Sequence, residues 1–182
     1  MNITKNHYGF TLVELLVVIS IIAILAAAVI LIINPLEFIK RGRDATRLKD
    51  LENLASVINI TLQNATSNPV QTLCKESGSY PCVGKSNNSG ASNRLTNGTG
   101  WVKADFTSNT SVTVPTLPID PINDPDYHYT YCADADKWEI NATLESDQLR
   151  GKMYSDGGNE SDRYEVGSNY FLLAAVGGSC EY

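Results

Sequence analysis

Apolar residues fill the first part of the chain almost without interruption. Between Leu15 and Ile33 only Ser20 breaks a run of nineteen residues, and a helix needs about 20 apolar residues to span the hydrocarbon core of a bilayer. Asn34 and Pro35 close the run, and proline bends or breaks a helix because it lacks the backbone N–H donor. The pattern predicts a membrane-spanning helix that ends near Asn34.

After Pro35 the pattern becomes amphipathic. Apolar residues now recur every three or four positions, which places them on one face of a helix. These residues are Leu48, Leu51, Leu54, Ala55, Val57, Ile58 and Leu62. Ser67-Asn68-Pro69 is typical of a helix stop. We therefore expect one long, interrupted helix from about Phe10 to Asn64, with a packing face in its second half.

The rest of the chain predicts a small sheet. Residues 70 to 100 indicate a loop, since the stretch from Ser86 to Gly100 is too polar to build a core. Short runs that suit half-buried strands follow: Trp101 to Phe106, Ser111 to Val114, Tyr127 to Cys132, Lys137 to Ala142 and Tyr170 to Val176. An antiparallel sheet laid over the amphipathic face predicts an α+β fold.

A cleaved secretory signal peptide is the main alternative to a retained helix. Such a signal has a shorter apolar region that ends at a small-residue cleavage site, and Ala26-Ala27-Ala28 imitates one. Apolar residues continue for five positions beyond these alanines. We therefore favour a helix that stays in the mature protein.

Composition and charge narrow the class of protein. The formal net charge is −6, which makes nucleic acid an improbable direct ligand. The four cysteines all follow the apolar run, and an even count in a polar, loop-rich domain predicts two disulfides and an oxidising compartment. Proximity in sequence favours Cys74 with Cys82 and Cys132 with Cys180, although four cysteines allow three pairings. His7 and His128 are too isolated to complete a zinc site.

Charge bias and cysteines disagree about membrane orientation. Lys5 alone precedes the apolar run, whereas five basic residues follow it closely: Lys40, Arg41, Arg43, Arg47 and Lys49. Basic residues concentrate on the cytoplasmic side, which would place the carboxyl-terminal domain in the cytoplasm. The cysteines indicate the opposite side, so another signal must set the topology.

That signal lies at the amino terminus. Gly9-Phe10-Thr11-Leu12-Val13-Glu14, after a short leader, resembles the type III signal of type IV pilins and pseudopilins. The resemblance implies that a prepilin peptidase cuts between Gly9 and Phe10 and that Phe10 is N-methylated. It also implies four segments: a leader at 1–9, an assembly helix at 10–34, an amphipathic helix at 35–66 and a disulfide-bonded α+β head at 67–182.

Glu14 is the single charged residue between Phe10 and Asn34. A charge at the bilayer centre costs about 2.5–3.5 kcal/mol on insertion scales. A lone carboxylate in this helix therefore requires an interaction that offsets the cost. Cleavage after Gly9 would create an amine at Phe10, and a buried cation and carboxylate are tolerable as a close pair. The resemblance implies that Glu14 neutralises the Phe10 amine of a neighbouring subunit; the alternative is a signal anchor with an accidental glutamate.

Two acidic loops resemble those of major pseudopilins of type II secretion, in which calcium ties the loops together. They are Leu117 to Tyr131 and Ser155 to Gly167. Calcium prefers six to eight oxygen ligands, and the resemblance implies five candidates: Asp120, Asp124, Asp126, Asp156 and Asp162. Asp-Pro and Asp-Gly turn formation is the competing explanation for these residues, and we otherwise expect no cofactor.

The basic cluster from Lys40 to Lys49 is interleaved with acidic residues. We expect a solvated face with local ion pairs, and contacts with neighbouring subunits or lipid headgroups are the alternative.

No nucleophile, base and orienting residue fall into a catalytic pattern, so we expect a structural protein rather than an enzyme. The resemblance implies a filament subunit for adhesion, motility, secretion or DNA uptake. Its expected partners are further copies of itself, the peptidase, an assembly platform, minor pilins and, before assembly, the cytoplasmic membrane. The alternative class is a non-polymerising bitopic protein with an extracytoplasmic binding or hydrolytic domain.

Overall fold

The computed structural model describes residues 9–65, 72–107 and 113–181. The chain divides into two compact units, Met1–Ile39 and Lys40–Tyr182. Residues 1–8 of the predicted leader lie outside the described residues.

The amino-terminal unit consists of an apolar helix and the start of a second one. Helix α1 spans Leu12–Ile33, and Asn34 ends it in the left-handed conformation, with φ 43°. Helix α2 spans Pro35–Asn64, so Pro35 occupies the first helical position, where its missing N–H is harmless. The Asn34 carbonyl accepts a hydrogen bond from the Glu37 N–H at 3.1 Å. The predicted interruption at Asn34 and Pro35 is confirmed.

The carboxyl-terminal unit contains the rest of α2 and a four-stranded antiparallel sheet. The strands are β1 (Cys82–Lys85), β2 (Thr130–Asp134), β3 (Lys137–Ala142) and β4 (Tyr164–Gly167), paired in that order. A separate two-stranded parallel pair joins β5 (Leu173–Ala174) and β6 (Cys180–Glu181). With the long apolar helix before it, this is the predicted α+β, pilin-like architecture.

The hydrophobic core lies between α2 and one face of the sheet. Leu51, Leu54 and Ile58 of the predicted stripe are buried against Trp101 and Trp138. Burial of a leucine or isoleucine side chain stabilises a fold by about 1.5–3 kcal/mol. The stripe read from the sequence is therefore the face that holds α2 on the sheet.

Both disulfides lie in this unit. Cys74 is bonded to Cys82 at the start of β1, and Cys132 of β2 is bonded to Cys180 of β6. These are the two pairings that proximity in sequence favours. The second bridge attaches the end of the chain to the middle of the sheet.

Several strand predictions need correction. Lys137 to Ala142 is a strand as predicted, but β2 begins at Thr130 rather than Tyr127. Trp101 to Phe106 is buried without being a strand, because its side chains enter the core while its backbone makes one isolated bridge, from Asp105 to Asn97. Tyr170 to Val176 contributes only Leu173–Ala174. Residues 111 and 112 lie outside the described residues, and 113–114 are not in a strand.

Sequence analysis missed β1, β4 and the two-residue strand β6. Strand β1 lies in the stretch predicted as a loop, and a central glycine hides its alternation. A Cβ at Gly84 would collide with the backbone of Trp101, so glycine is required by close packing rather than by a turn. Strand β4 has only four residues, which is too short to show a convincing period.

Candidate functional site

The peptide bond between Gly9 and Phe10 lies in an exposed, non-helical segment just before α1. Phe10 is 84% exposed, and Thr11 is the extended N-cap residue of the helix. A peptidase needs an extended, accessible backbone around the bond that it hydrolyses. The segment in front of α1 meets this requirement.

Glu14 is held at the start of α1 by a capping box. Its Oε2 accepts hydrogen bonds from the Thr11 N–H (2.9 Å) and the Thr11 hydroxyl (2.8 Å), and its own N–H donates to Thr11 Oγ1 at 3.2 Å. Caps of this kind contribute about 1 kcal/mol. Sequence analysis missed this role, although Thr-x-x-Glu before an apolar run is the signature of a capping box.

Helix α1 is long and apolar enough to cross a membrane. Within the described part of the chain it is the one helix that meets this condition, over Leu12–Ile30. None of this span is buried within the protein. An apolar helix exposed on every side requires a lipid or protein environment. This is consistent with membrane anchoring.

A group of buried charged side chains surrounds Arg47 in the carboxyl-terminal unit. Arg47 is completely buried. Its guanidinium donates to Asp120 at 2.6 and 2.9 Å, to Asp44 at 2.8 Å and to Glu145 at 2.5 Å. The ring of Tyr127 lies 5.2 Å from its carbon Cζ, within cation–π range.

The acidic members of this Arg47 cluster also bind backbone. Asp44 accepts hydrogen bonds from the N–H groups of Glu145 (2.9 Å) and Ser146 (2.7 Å). Arg43 adds two bonds to Glu145, at 2.8 and 2.5 Å. The cluster therefore fixes the part of α2 from Arg43 to Arg47 to the loops around residues 120 and 145.

The expectation of a solvated basic face is wrong for Asp44 and Arg47. Both are fully buried, and Arg43 pairs with a residue far along the chain rather than with a neighbour on the helix. The sequence held a signal that we missed. Positions 44 and 47 continue the three- and four-residue spacing of the apolar stripe at 51, 54 and 58.

The cluster sets the protonation state of Glu145. Burial raises the pKa of its carboxyl group, but the hydrogen bonds from Arg43 and Arg47 outweigh burial and hold the pKa below its ordinary value of 4.5. A carboxylate with a lowered folded-state pKa stabilises the fold above its unfolded-state pKa. This contribution is lost as the pH falls through the lowered pKa.

The aspartates proposed for calcium have other partners. Asp120 binds Arg47 and the Ile122 N–H, and Asp124 accepts the N–H groups of residues 126 and 127. Asp156 accepts those of residues 158 and 165. Asp126 and Asp162 are exposed. Within the described ranges, no three Asp, Glu, His or Cys side chains form a group that could hold a metal ion, so these residues as placed do not fit a calcium site.

We accordingly expect calcium removal to leave the stability of the carboxyl-terminal unit unchanged. Asp120, Asp124 and Asp156 already accept hydrogen bonds from backbone donors or arginine, so they gain little from a cation. The test compares thermal unfolding of the full chain in detergent with excess EDTA and with excess CaCl₂. A higher melting temperature in calcium would contradict the expectation.

Gly9-Phe10 is followed directly by an apolar helix capped by Thr11 and Glu14, and then by an α+β unit. Residues 4–30 match the family model described as the prokaryotic N-terminal methylation motif, which is the prepilin-peptidase signal of type IV pilins and pseudopilins. Comparison with curated proteins and with solved structures found no match. The motif indicates type IV pilin-like processing and points to a structural protein.

Proposed function

We propose that the chain is a structural subunit of a type IV pilus or pseudopilus filament that polymerises through α1. The observation that carries the proposal is the juxtaposition at the amino terminus. The processing motif is followed at once by a helix that is apolar throughout except for Glu14 and Ser20.

Helix α1 supplies the assembly surface. Its large apolar side chains are exposed in the single chain, for example Leu12 at 79% and Ile24 at 71%. When a subunit leaves the membrane, exposure of these side chains to water would cost about 25 cal/mol per Å² of apolar surface. They must therefore remain out of water. Lateral packing of α1 helices from several subunits meets this requirement.

Glu14 supplies the register between subunits. Cleavage after Gly9 would leave an amine on Phe10, and the carboxylate of a neighbouring Glu14 is its proposed partner. Both Thr11 hydrogen bonds end on Oε2, and we assign the amine to the other oxygen of the carboxylate. The capping box then keeps Glu14 in place while the ion pair forms. A lone polar contact in an apolar helical interface selects one axial register.

The proposed location follows from the disulfides and the motif together. Two disulfides in the carboxyl-terminal unit require an oxidising compartment. We therefore place the amino terminus in the cytoplasm and the head outside the cytoplasmic membrane before assembly, and in a surface or periplasmic filament afterwards. An assembly platform and minor pilins are the proposed partners.

Two features bear on the type of filament. The Leu117 to Tyr131 segment resembles that of secretion pseudopilins, whereas a disulfide-bonded, Asn-rich head favours a surface pilin used for adhesion or motility. A DNA-uptake pilus is the third alternative. A bitopic protein that never polymerises is the alternative from another class. It requires an intact amino terminus.

Mass spectrometry of the first peptide of the native protein separates a processed filament subunit from the bitopic alternative. We expect a peptide that begins at Phe10 and carries one additional methyl group, because the exposed Gly9–Phe10 bond is the proposed cleavage site. A Gly9→Leu variant is the control and should retain residues 1–9. A native protein that begins at Met1 would favour the bitopic alternative.

A further inference from the structure

Two glutamates are buried side by side on the sheet face that points away from α2. The register pairs Asn141 with Glu165 and Glu139 with Gly167, so Glu139 and Glu165 are diagonal neighbours on one face of β3 and β4. Glu139 is 0% exposed and Glu165 is 2% exposed. A Cβ at Gly158 would collide with the Glu165 carboxylate, which shows how tightly the loop closes over Glu165.

Each glutamate binds a different piece of the chain that covers the sheet. Glu139 Oε2 accepts the N–H groups of Leu172 (2.8 Å) and Leu173 (3.0 Å). Glu165 Oε2 accepts the Glu160 N–H at 3.1 Å. The pair therefore connects β3 and β4 to the turn before β4 and to the segment that leads into β5.

When both glutamates are ionised, one of their four carboxylate oxygens has no hydrogen-bond donor. Glu139 Oε1 is buried without a hydrogen-bond partner when both groups are carboxylates, whereas the two side chains lie within hydrogen-bonding reach of each other. A buried acceptor without a donor costs about 1–3 kcal/mol. A proton on Glu165 would supply the missing donor.

We propose that Glu139 and Glu165 share one proton and form a pH-sensitive clasp that holds the segment around Leu172 and Leu173 on the sheet. Loss of that proton places two negative charges side by side in a buried site. Repulsion between them then loosens the backbone bonds that Glu139 and Glu165 make. The clasp is independent of filament assembly and of Glu14.

The charges around the clasp favour retention of the proton. Asp156 faces both glutamates from the turn before β4, and its negative charge adds to burial in raising the pKa of each. Burial is the largest cause, and the pKa of Glu165 is raised to about 9. The neighbour of Glu139 on β2 is Cys132, which is in a disulfide and does not titrate.

Further titratable groups lie on or near this face, among them Lys85 of β1, which pairs with Thr130, and Asp134 of β2, which pairs with Lys137. Glu160 of the turn before β4 accepts the Ala175 N–H, and Lys137 at the start of β3 is exposed. Tyr170 lies just before the segment around Leu172 and Leu173. Burial, with the positive charges of Arg163 and Lys85 adding to it, lowers the pKa of His128, which favours its neutral form.

The direction of the pH dependence follows from the raised pKa. In the folded state the pair keeps a proton over a pH range in which the unfolded chain, with an ordinary value of 4.5, has lost it. Its contribution to stability is therefore complete below the unfolded-state pKa and declines as the pH rises towards 9. Ordinary ionised surface carboxylates show no such loss at alkaline pH.

The test is thermal unfolding of the full chain in detergent micelles between about pH 6 and about pH 10. We expect the melting temperature of the natural chain to fall by about 5 °C or more across this range. Glu165→Gln keeps a donor towards Glu139 and cannot ionise, so its melting temperature should stay level. Glu76→Gln, at an exposed glutamate, is the matched control and should fall like the natural chain.

Infrared spectroscopy of the natural chain tests the proton directly. At neutral pH we expect a carboxylic-acid carbonyl band that disappears on alkaline titration and is absent from Glu165→Gln. This measurement on the natural chain remains decisive even if that variant does not fold. Absence of the band, or a Glu165→Gln melting curve with the same alkaline loss, would overturn the proposal. Calcium that stabilises the natural chain at alkaline pH but not Glu165→Gln would also overturn it, since the pair would then bind a cation.

Discussion

Replacement of Glu14 with Gln is expected to abolish filament assembly and to leave membrane insertion and cleavage after Gly9 intact. Glutamine can accept the Thr11 hydrogen bonds, so the capping box survives, whereas the charge that the Phe10 amine requires is gone. An unpaired amine in an apolar helix interface costs several kcal/mol, and a filament multiplies this cost over every subunit. Electron microscopy of sheared filaments, with immunoblots of the membrane fraction, measures the outcome.

Two variants of the same helix separate the charge from other effects. Thr11→Ala removes the side-chain cap, at about 1 kcal/mol, and keeps the carboxylate, so filaments should persist. Ser20→Ala removes a hydroxyl whose hydrogen bond goes to the Leu16 carbonyl within the helix, and it should assemble normally. Filaments of Glu14→Gln in normal number would rule out the ion pair as the basis of register.

Replacement of Arg47 with Met is expected to lower the free energy of unfolding of the carboxyl-terminal unit by about 3–5 kcal/mol. Methionine fills much of the space but leaves the carboxylates of Asp44, Asp120 and Glu145 without their shared cation. Removal of one partner from a buried ionic group is far more harmful than removal of the whole group. Denaturant unfolding followed by fluorescence of Trp101 and Trp138, both buried in this unit, gives the value.

Lys49→Met provides the matched control on the same helix. Lys49 is exposed, and surface substitutions usually change stability by about 0.5 kcal/mol or less. Asp120→Asn should destabilise the unit, but less than Arg47→Met, because the amide keeps one acceptor for the guanidinium. Equal unfolding midpoints for Arg47→Met and Lys49→Met would show that the buried cluster does not hold α2 in place.

The local features of this protein could be predicted from its sequence. An unbroken apolar run, a Thr-x-x-Glu start and an Asn-Pro stop determine α1 and its end through interactions within a few residues. The stripe at Leu51, Leu54 and Ile58 likewise follows from helical spacing alone. The processing motif is also local, which is why six residues were enough to indicate it.

Contacts between distant residues decided the rest. Arg47 and Asp44 looked like solvated charges because their partners, Asp120 and Glu145, lie more than seventy positions away in sequence. Strand β1 depends on the close approach of Trp101 to Gly84, and the Glu139–Glu165 pair exists only because β3 and β4 bring two ordinary glutamates together. Sequence spacing determines which residues share a helix face, whereas burial, and with it the protonation and pairing of charges, is set only when remote segments pack.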